Sequence, residues 1–217
     1  MNLLAVNQHK LEQIKLLKKA LLQQLFPQKD EINPQIRFTD FHDDWEPRKI
    51  DSIFKITRGQ VLSSKKIKLK KDFTYKYPVY SSQTKNDGLM GYYNEYLFKN
   101  GITWTTDGAN AGTVKYRHGK FYSTNVNGVL LEKYLIPNKM ISESLNLIAY
   151  KFVSKVGNPK LMNNTMANIR IDITLNLEEQ EKISNIFNKI DASIKINKKK
   201  INKIQNFKKS LLQNMFI

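Results

Sequence analysis

Residues 177–216 read LEEQEKISNIFNKIDASIKINKKKINKIQNFKKSLLQNMF, and this stretch decides the architecture. It contains neither glycine nor proline. Its apolar residues fall at Ile183, Phe187, Ile190, Ile194, Ile201 and Ile204, in alternating steps of four and three, the spacing of a helical seam. Glu178, Glu179 and Glu181 open the run and lysines crowd its close, which suits the helix dipole. The spacing predicts one helix over 177–217, about 55–60 Å long. A compact domain of this size is only about 30–35 Å across, so the helix is expected to project or to lie along a partner. Asn197 is the single polar residue in the alternation. It either sits in the seam and sets register, or faces solvent.

The other end carries related text. IKLLKKALLQQLF (Ile14–Phe26) and IQNFKKSLLQNMF (Ile204–Phe216) share 7 of 13 positions at an offset of 190. Leu4/Ile194, Lys10/Lys200 and Leu11/Ile201 extend the match, an internal repeat of domain-sized period. Leu11, Ile14 and Leu21 are the expected seam of the first copy, and Leu211 extends that of the second. Met1 falls opposite Asp191, so the first copy is short, as in one half of a longer protein with two globular domains and two long helices. Boundaries at 1–28, 29–176 and 177–217 follow.

All nine glycines lie between Gly59 and Gly157 and all six prolines between Pro27 and Pro159. The middle is therefore full of turns. Runs at 75–80, 101–106, 112–116 and 126–131 are β-branched and aromatic, bounded by Asn, Asp and Gly, and read as strands. A short helix is expected near Ser142–Val153. The fold class is α+β: a mixed globular domain flanked by long helices.

The chain has 217 residues, 36 Lys and Arg against 19 acids, and a net charge of +17. The excess is +4 over residues 1–29, +8 over 30–175 and +5 over 176–217, so the middle is basic by itself. Such a charge points to a polyanion, nucleic acid before membrane surface. With no cysteine, disulfides, thiolate nucleophiles and thiolate metal sites are excluded. His9, His42 and His118 are well separated, which argues against a histidine metal site. No apolar run approaches the ~18 residues of a membrane span, and no secretory signal opens the chain. A cytoplasmic protein with no membrane partner is expected.

No phosphate-binding glycine loop, Gly-x-Ser-x-Gly, paired-histidine zinc motif or Asn/Asp-Pro-Pro-Tyr/Phe segment is present. Acid–lysine neighbours such as Glu132-Lys133 arise by chance in a charged chain. No catalytic or metal-binding residue is therefore assigned. The middle instead offers amide, hydroxyl and basic side chains on turns, interleaved with aromatics. Lysine and arginine hold phosphates, whereas Asn, Gln, Ser and Thr read base edges. The candidate DNA contacts are Arg58, Lys65, Lys66, Ser82, Gln83, Thr84, Lys85, Asn86 and Tyr92 in the first half. Thr106, Asn110, Lys115, Arg117, Asn125, Asn127, Lys160, Asn163 and Asn164 complete the set. Each also suits a solvated turn. The Lys65–Lys71 run reads as a basic, solvated stretch able to touch phosphates without sequence preference.

These residues resemble the specificity (S) subunit of type I restriction-modification systems. The likeness runs through Trp45-Glu-Pro-Arg-Lys-Ile, Ile53-Phe-Lys-Ile-Thr-Arg-Gly59, Tyr77-Pro-Val-Tyr-Ser-Ser and Gly91-Tyr-Tyr-Asn. It continues through Asp107-Gly-Ala-Asn-Ala-Gly-Thr-Val114, Thr165-Met-Ala-Asn-Ile-Arg-Ile171, Leu177–Ile183 and Phe207–Phe216. Where the family often has Pro-Pro before the helix, this chain has Ile173-Thr-Leu-Asn-Leu177. The resemblance implies a non-catalytic subunit with target-recognition domains that each read half of a bipartite DNA site. It implies helices that form an antiparallel coiled coil. It also implies modification and restriction subunits as partners, with S-adenosylmethionine, ATP and magnesium bound by those partners and no cofactor by this chain. A half-subunit would pair with a second copy through its helices. The competing expectation is a protein-interaction or regulatory module that works through its helices without reading DNA.

Overall fold

A computed structural model describes residues 3–83 and 85–214. The described chain divides into two compact units, residues 43–181 and residues 1–42 with 182–217.

The unit of 43–181 is built on sheet. A two-stranded antiparallel pair joins its ends, β1 (Glu46–Lys49) against β8 (Arg170–Ile173), with Glu46 opposite Ile173. A short helix α2 (Ile50–Ile53) follows β1. The main sheet has six strands: β2 (Phe54–Arg58), β3 (Tyr77–Tyr80), β4 (Leu89–Tyr93), β5 (Phe98–Thr105), β6 (Val114–Ser123) and β7 (Asn127–Glu132). Their order is β2-β7-β5-β6-β3-β4, antiparallel except where β3 runs parallel to β6. The four strands expected from sequence are β3, β5, β6 and β7; β6 runs longer, to Ser123. Its register with β5 shifts between Lys99 and Gly101, where Asn100 of β5, at φ 48°, accepts the Gly119 amide through Oδ1 at 2.7 Å.

The expected helix near 142–153 is α3 (Lys139–Ile148), followed by a 3₁₀ turn over Ala149–Phe152. Asn138 starts it, its Oδ1 accepting the Ile141 amide at 2.9 Å. A further short helix, α4 (Asn163–Asn168), precedes β8. The core holds Phe54, Ile102, Trp104, Phe121, Leu130, Met140, Ile141 and Leu145, all fully buried. Trp104 satisfies its one donor by giving Nε1–H to the Leu161 carbonyl at 2.9 Å.

The other unit is helical. Its elements are α1 (Leu3–Gln24) and, from residue 182 onward, α5 (Leu177–Asn214), 38 residues long in all. Phe26 stacks on Phe187 at 5.7 Å between centroids, and Lys18 Nζ meets Asp191 Oδ1 at 2.8 Å. As the chain runs back from Phe26 into α1 at Lys18, α5 runs forward from 187 to 191, so the helices are antiparallel. Leu11, Ile183, Phe187, Ile190, Asn197 and Ile201 are buried. Ile14, Leu21, Ile194 and Ile204 are half-buried, and Leu211 is exposed. Asn197 therefore belongs to the seam, its Nδ2 donating to the Ser193 carbonyl at 2.8 Å. Its counterpart at the repeat offset, Asn7, is buried and donates to Leu3 O at 2.7 Å. Sequence reading passed over that second polar seam residue.

Asn176 caps the entry to α5. Its Oδ1 accepts the amides of Glu178 and Glu179 at 3.0 and 3.2 Å. Losing such a cap costs about 1 kcal/mol, so Asn176→Ala is expected to lower the midpoint of thermal unfolding by about 2–4 °C. Calorimetry checks it; an unchanged midpoint would show that the cap contributes nothing. Among the described residues no helix is long and apolar enough to cross a membrane.

Candidate nucleic-acid interface

Three loops of the sheet unit are tied to one another. The turn after β3 joins the loop between β5 and β6 where Asn110 Nδ2 donates to the Ser82 carbonyl at 3.0 Å. It joins the turn between β6 and β7 where the Thr124 and Ser81 hydroxyls lie 2.9 Å apart. The Thr106 amide donates to Val126 O at 2.9 Å, linking the second and third loops. Arg58, at the end of β2, gives Nε–H to Asn125 O at 2.6 Å and stands 3.4 Å from Asp107 Oδ2. The Leu161 amide donates to Thr106 O at 2.9 Å, which brings Lys160 beside the same cluster.

A cavity of about 140 Å³ opens among these loops. Its hydroxyl lining comes from Ser81, Ser82, Thr103, Thr105 and Thr113. Gln83, Asn110 and Asn127 add amides, and Asp87, Lys115 and Arg117 add charge. Such a surface offers donors and acceptors in the mixture that base edges present.

Arg117 is the organising residue. Its side chain is 5% exposed. Nε–H donates to Thr103 Oγ1 at 3.1 Å, and Nη1 donates to the Asp87 carbonyl at 2.9 Å and lies 3.4 Å from its Oδ2. The guanidinium lies over the Tyr80 ring at 3.8 Å, a cation–π contact. Lys115 Nζ holds the other carboxylate oxygen of Asp87 at 2.8 Å. Burial works to raise the Asp87 carboxyl, but the Lys115 ammonium and then Arg117 outweigh it and hold it below the usual carboxylate range. The clamp is therefore ionised at neutral pH. Its contribution to stability is present above the ordinary carboxylate value and is lost as pH falls through the lowered one. Burial pushes the Tyr80 phenol up, which keeps that ring neutral under the guanidinium.

The clamp holds an unusual turn. Asn86 and Asp87 adopt left-handed conformations, φ 49° and 59°, ahead of Gly88 at φ 85°. Asn and Asp tolerate this region better than other residues with side chains, but a run of them needs outside support.

The expected contacts divide accordingly. Arg58, Lys65, Lys66, Gln83, Lys85, Asn86, Asn125, Lys160 and Asn164 are exposed. Ser82, Tyr92, Asn110, Lys115 and Asn163 are half-buried. Asn163 and Asn164 open α4 rather than a loop, and Thr84 lies outside the described residues. Three more, Arg117, Thr106 and Asn127, are buried. Arg117 is spent on Thr103, Asp87 and the Tyr80 ring. Thr106 is buried and gives its hydroxyl to Asp107 Oδ2 at 2.6 Å. Asn127 is buried and donates to Ser123 Oγ at 3.2 Å. Sequence reading missed Asp87, taken only as a turn residue, and the cavity threonines 103, 105 and 113. The one available signal was the Asn86-Asp87-Gly88 run itself. Among the described residues, no group of three or more His, Cys, Asp or Glu side chains could hold a metal ion.

Comparison with known proteins gives the chain a family and a shared fold. A family model described as the type I restriction modification DNA specificity domain matches residues 42–206. A Mycoplasma pneumoniae protein named as a type I specificity subunit N-terminus is 43% identical over 141 residues, covering 64% of this chain and 73% of its own. The type I restriction enzyme MpnII specificity subunit of the same organism is 36% identical over 177 residues, 75% of this chain and 52% of its own. The HsdS subunit from Thermoanaerobacter tengcongensis shares the fold, with a TM-score of 0.59 at 13% identity over 96% of this chain and 52% of its own. The S subunit from M. genitalium gives 0.57 at 20% identity, over 72% of this chain and 41% of its own. The chain thus spans about half the length of several of its relatives.

Proposed function

The chain belongs to the type I restriction modification DNA specificity family, and from that premise we propose that its sheet unit reads one half of a bipartite duplex site. The observation that carries the reading is the joined loop cluster with its polar cavity, on whose connecting segments Arg58, Lys85 and Lys160 are exposed. Lysine and arginine there hold phosphates, and Ser82, Gln83, Asn110 and Asn125 meet base edges. The chain supplies no chemistry of its own. Modification subunits dock along the helices and methylate adenine with S-adenosylmethionine, and a restriction subunit brings ATP and magnesium. In this division residues 1–28 are the tail of a central conserved helix, 29–176 the recognition domain and 177–217 the C-terminal conserved helix.

Co-expression with a cognate modification subunit, followed by genome-wide mapping of methyladenine, tests this. A bipartite methylated motif is the expected result. A palindromic motif would mean that two copies act together, and a split asymmetric one that a different recognition half completes the site. No methylation despite a stable complex with the modification subunit would overturn the reading. A second reading, an interaction module that never reads DNA, draws on the exposed apolar residues Ile196, Phe207, Leu211 and Leu212 of α5. Salt separates the two, because phosphate-held binding falls steeply between 50 and 200 mM salt and apolar helix pairing does not.

A further inference from the structure

Between β2 and β3 the chain leaves the main sheet for residues 59–76, which carry six lysines against one aspartate. This segment is not loose. Its Lys68 forms a two-way backbone bridge with Tyr92 of β4, at 3.0 and 2.7 Å. The approach is so close that a Cβ at Gly91 would stand 2.4 Å from the Lys68 carbonyl oxygen. Beyond the bridge, Asp72 Oδ1 accepts the amides of Thr74 and Tyr75 at 2.9 and 2.6 Å, and its own amide donates to Tyr75 O at 3.2 Å. Lys68 Nζ reaches Asp72 Oδ2 at 3.4 Å and lies over the Tyr75 ring at 4.3 Å. The tip of the segment is thus a fixed turn.

On that turn stands Phe73, 101% exposed, with Leu69 at 86%. Single exposed apolar residues are ordinary on protein surfaces. A fully exposed phenyl ring on a pinned turn, with Lys70 and Lys71 just before it and Lys65 and Lys66 in the same segment, is a different arrangement. The four lysines are exposed, and among the described residues none of them has an ion-pair partner. Proteins that bend duplex DNA combine these parts: cations on the backbone and an apolar side chain pushed between base steps. An anionic lipid surface would favour a broad apolar face with cations along its border, whereas this turn offers one ring and one leucine.

We propose that the Lys70–Thr74 turn is a DNA wedge, in which Lys65, Lys66, Lys70 and Lys71 hold the sugar–phosphate backbone while the Phe73 ring enters an opened base step. The proposal rests on the DNA-reading function above and adds deformation of the duplex to it. Phe73 would then contribute by how readily a step unstacks, rather than by hydrogen bonds to bases.

The test uses the full chain with two 30-base-pair duplexes of random sequence, identical except for one central mismatch. Unstacking is cheaper at a mismatch, so the chain is expected to bind that duplex about fivefold more tightly. Phe73→Ala should erase the preference and leave affinity for the perfect duplex within about twofold. Because Phe73 is fully exposed, this change does not threaten the fold. Lys70→Ala should do the reverse, keeping the preference and reducing the salt slope by about one. A 2-aminopurine beside the mismatch should brighten on binding of the unaltered chain and not of the alanine variant. If Phe73→Ala retains the preference, the wedge is overturned and the DNA-reading function stands. If the unaltered chain binds neither duplex at low salt, that function fails and the wedge with it. If Phe73→Ala loses only binding to phosphatidylserine vesicles, the turn serves a lipid surface and the wedge is overturned.

Discussion

Arg117→Met is expected to abolish sequence discrimination while leaving the salt dependence of DNA binding intact. Methionine keeps most of the aliphatic volume but removes every donor that residue 117 gives the left-handed turn, including the bond to the Asp87 carbonyl. It also strips the cation from the Tyr80 ring. Asp87 keeps only Lys115, and the cavity loses the group that fixes one of its walls. A misplaced loop forfeits base contacts worth about 1–3 kcal/mol each. Affinity for the methylated motif should therefore fall by at least about thirtyfold, or about 2 kcal/mol, while affinity for random DNA barely changes. Anisotropy titrations on both duplexes at several salt concentrations measure this. A phosphate contact would behave otherwise, with affinity lost uniformly and the slope lowered by about one. That outcome would return Arg117 to the role its sequence context suggested. Arg117→Lys should be intermediate, since it keeps charge near Asp87 but not the planar stack or the fork of donors.

Gly128→Ala should be the most damaging small change in the sheet unit. A Cβ at residue 128 would lie 2.0 Å from Cζ2 and 2.1 Å from Cη2 of Trp104. The indole has no room to yield, being fully buried and held by its bond to Leu161 O. Overpacking in such a place costs about 3 kcal/mol or more, equivalent to about 6–12 °C in melting temperature for a chain of this size. Near-ultraviolet circular dichroism through a thermal melt would follow it. Trp104→Phe removes the colliding six-membered ring, so the double variant should be more stable than the sum of the two losses predicts. A single variant melting within 1 °C of the unaltered chain would contradict the packing described here.

The long helices were legible because their signals are local. Absent glycine and proline, a regular apolar step and an internal repeat all survive in one dimension. The Asn7 seam position escaped because a polar residue gives no periodic signal until its counterpart at 197 is known to be buried. Strand β1, Glu-Pro-Arg-Lys, has no apolar alternation at all; it is a strand only because residues 170–173 lie against it. The loop cluster was read by residue type, which singled out Ser82, Gln83 and Asn110 as candidate DNA contacts; the three also line the cavity. Type could not separate a solvent-facing arginine from a buried one. What buries Arg117 is its pairing opposite Gly101, sixteen residues away, and the return of a loop bearing Asp87. Phe73 was invisible for the opposite reason: its meaning lies in having no neighbours.

The stacking of Phe26 on Phe187 also has a consequence in time. These rings are separated by 161 residues of chain. At synthesis rates of about 5–20 residues per second, α1 leaves the ribosome roughly 10–30 s before its antiparallel partner exists. Throughout that interval Phe26 lacks the Phe187 ring on which it stacks in the folded chain. Any second nascent copy that has already completed its α5 offers the same seam without the wait. Whether helices pair within or between polypeptides is then decided partly by translation speed and local chain concentration, before equilibrium stability has any say.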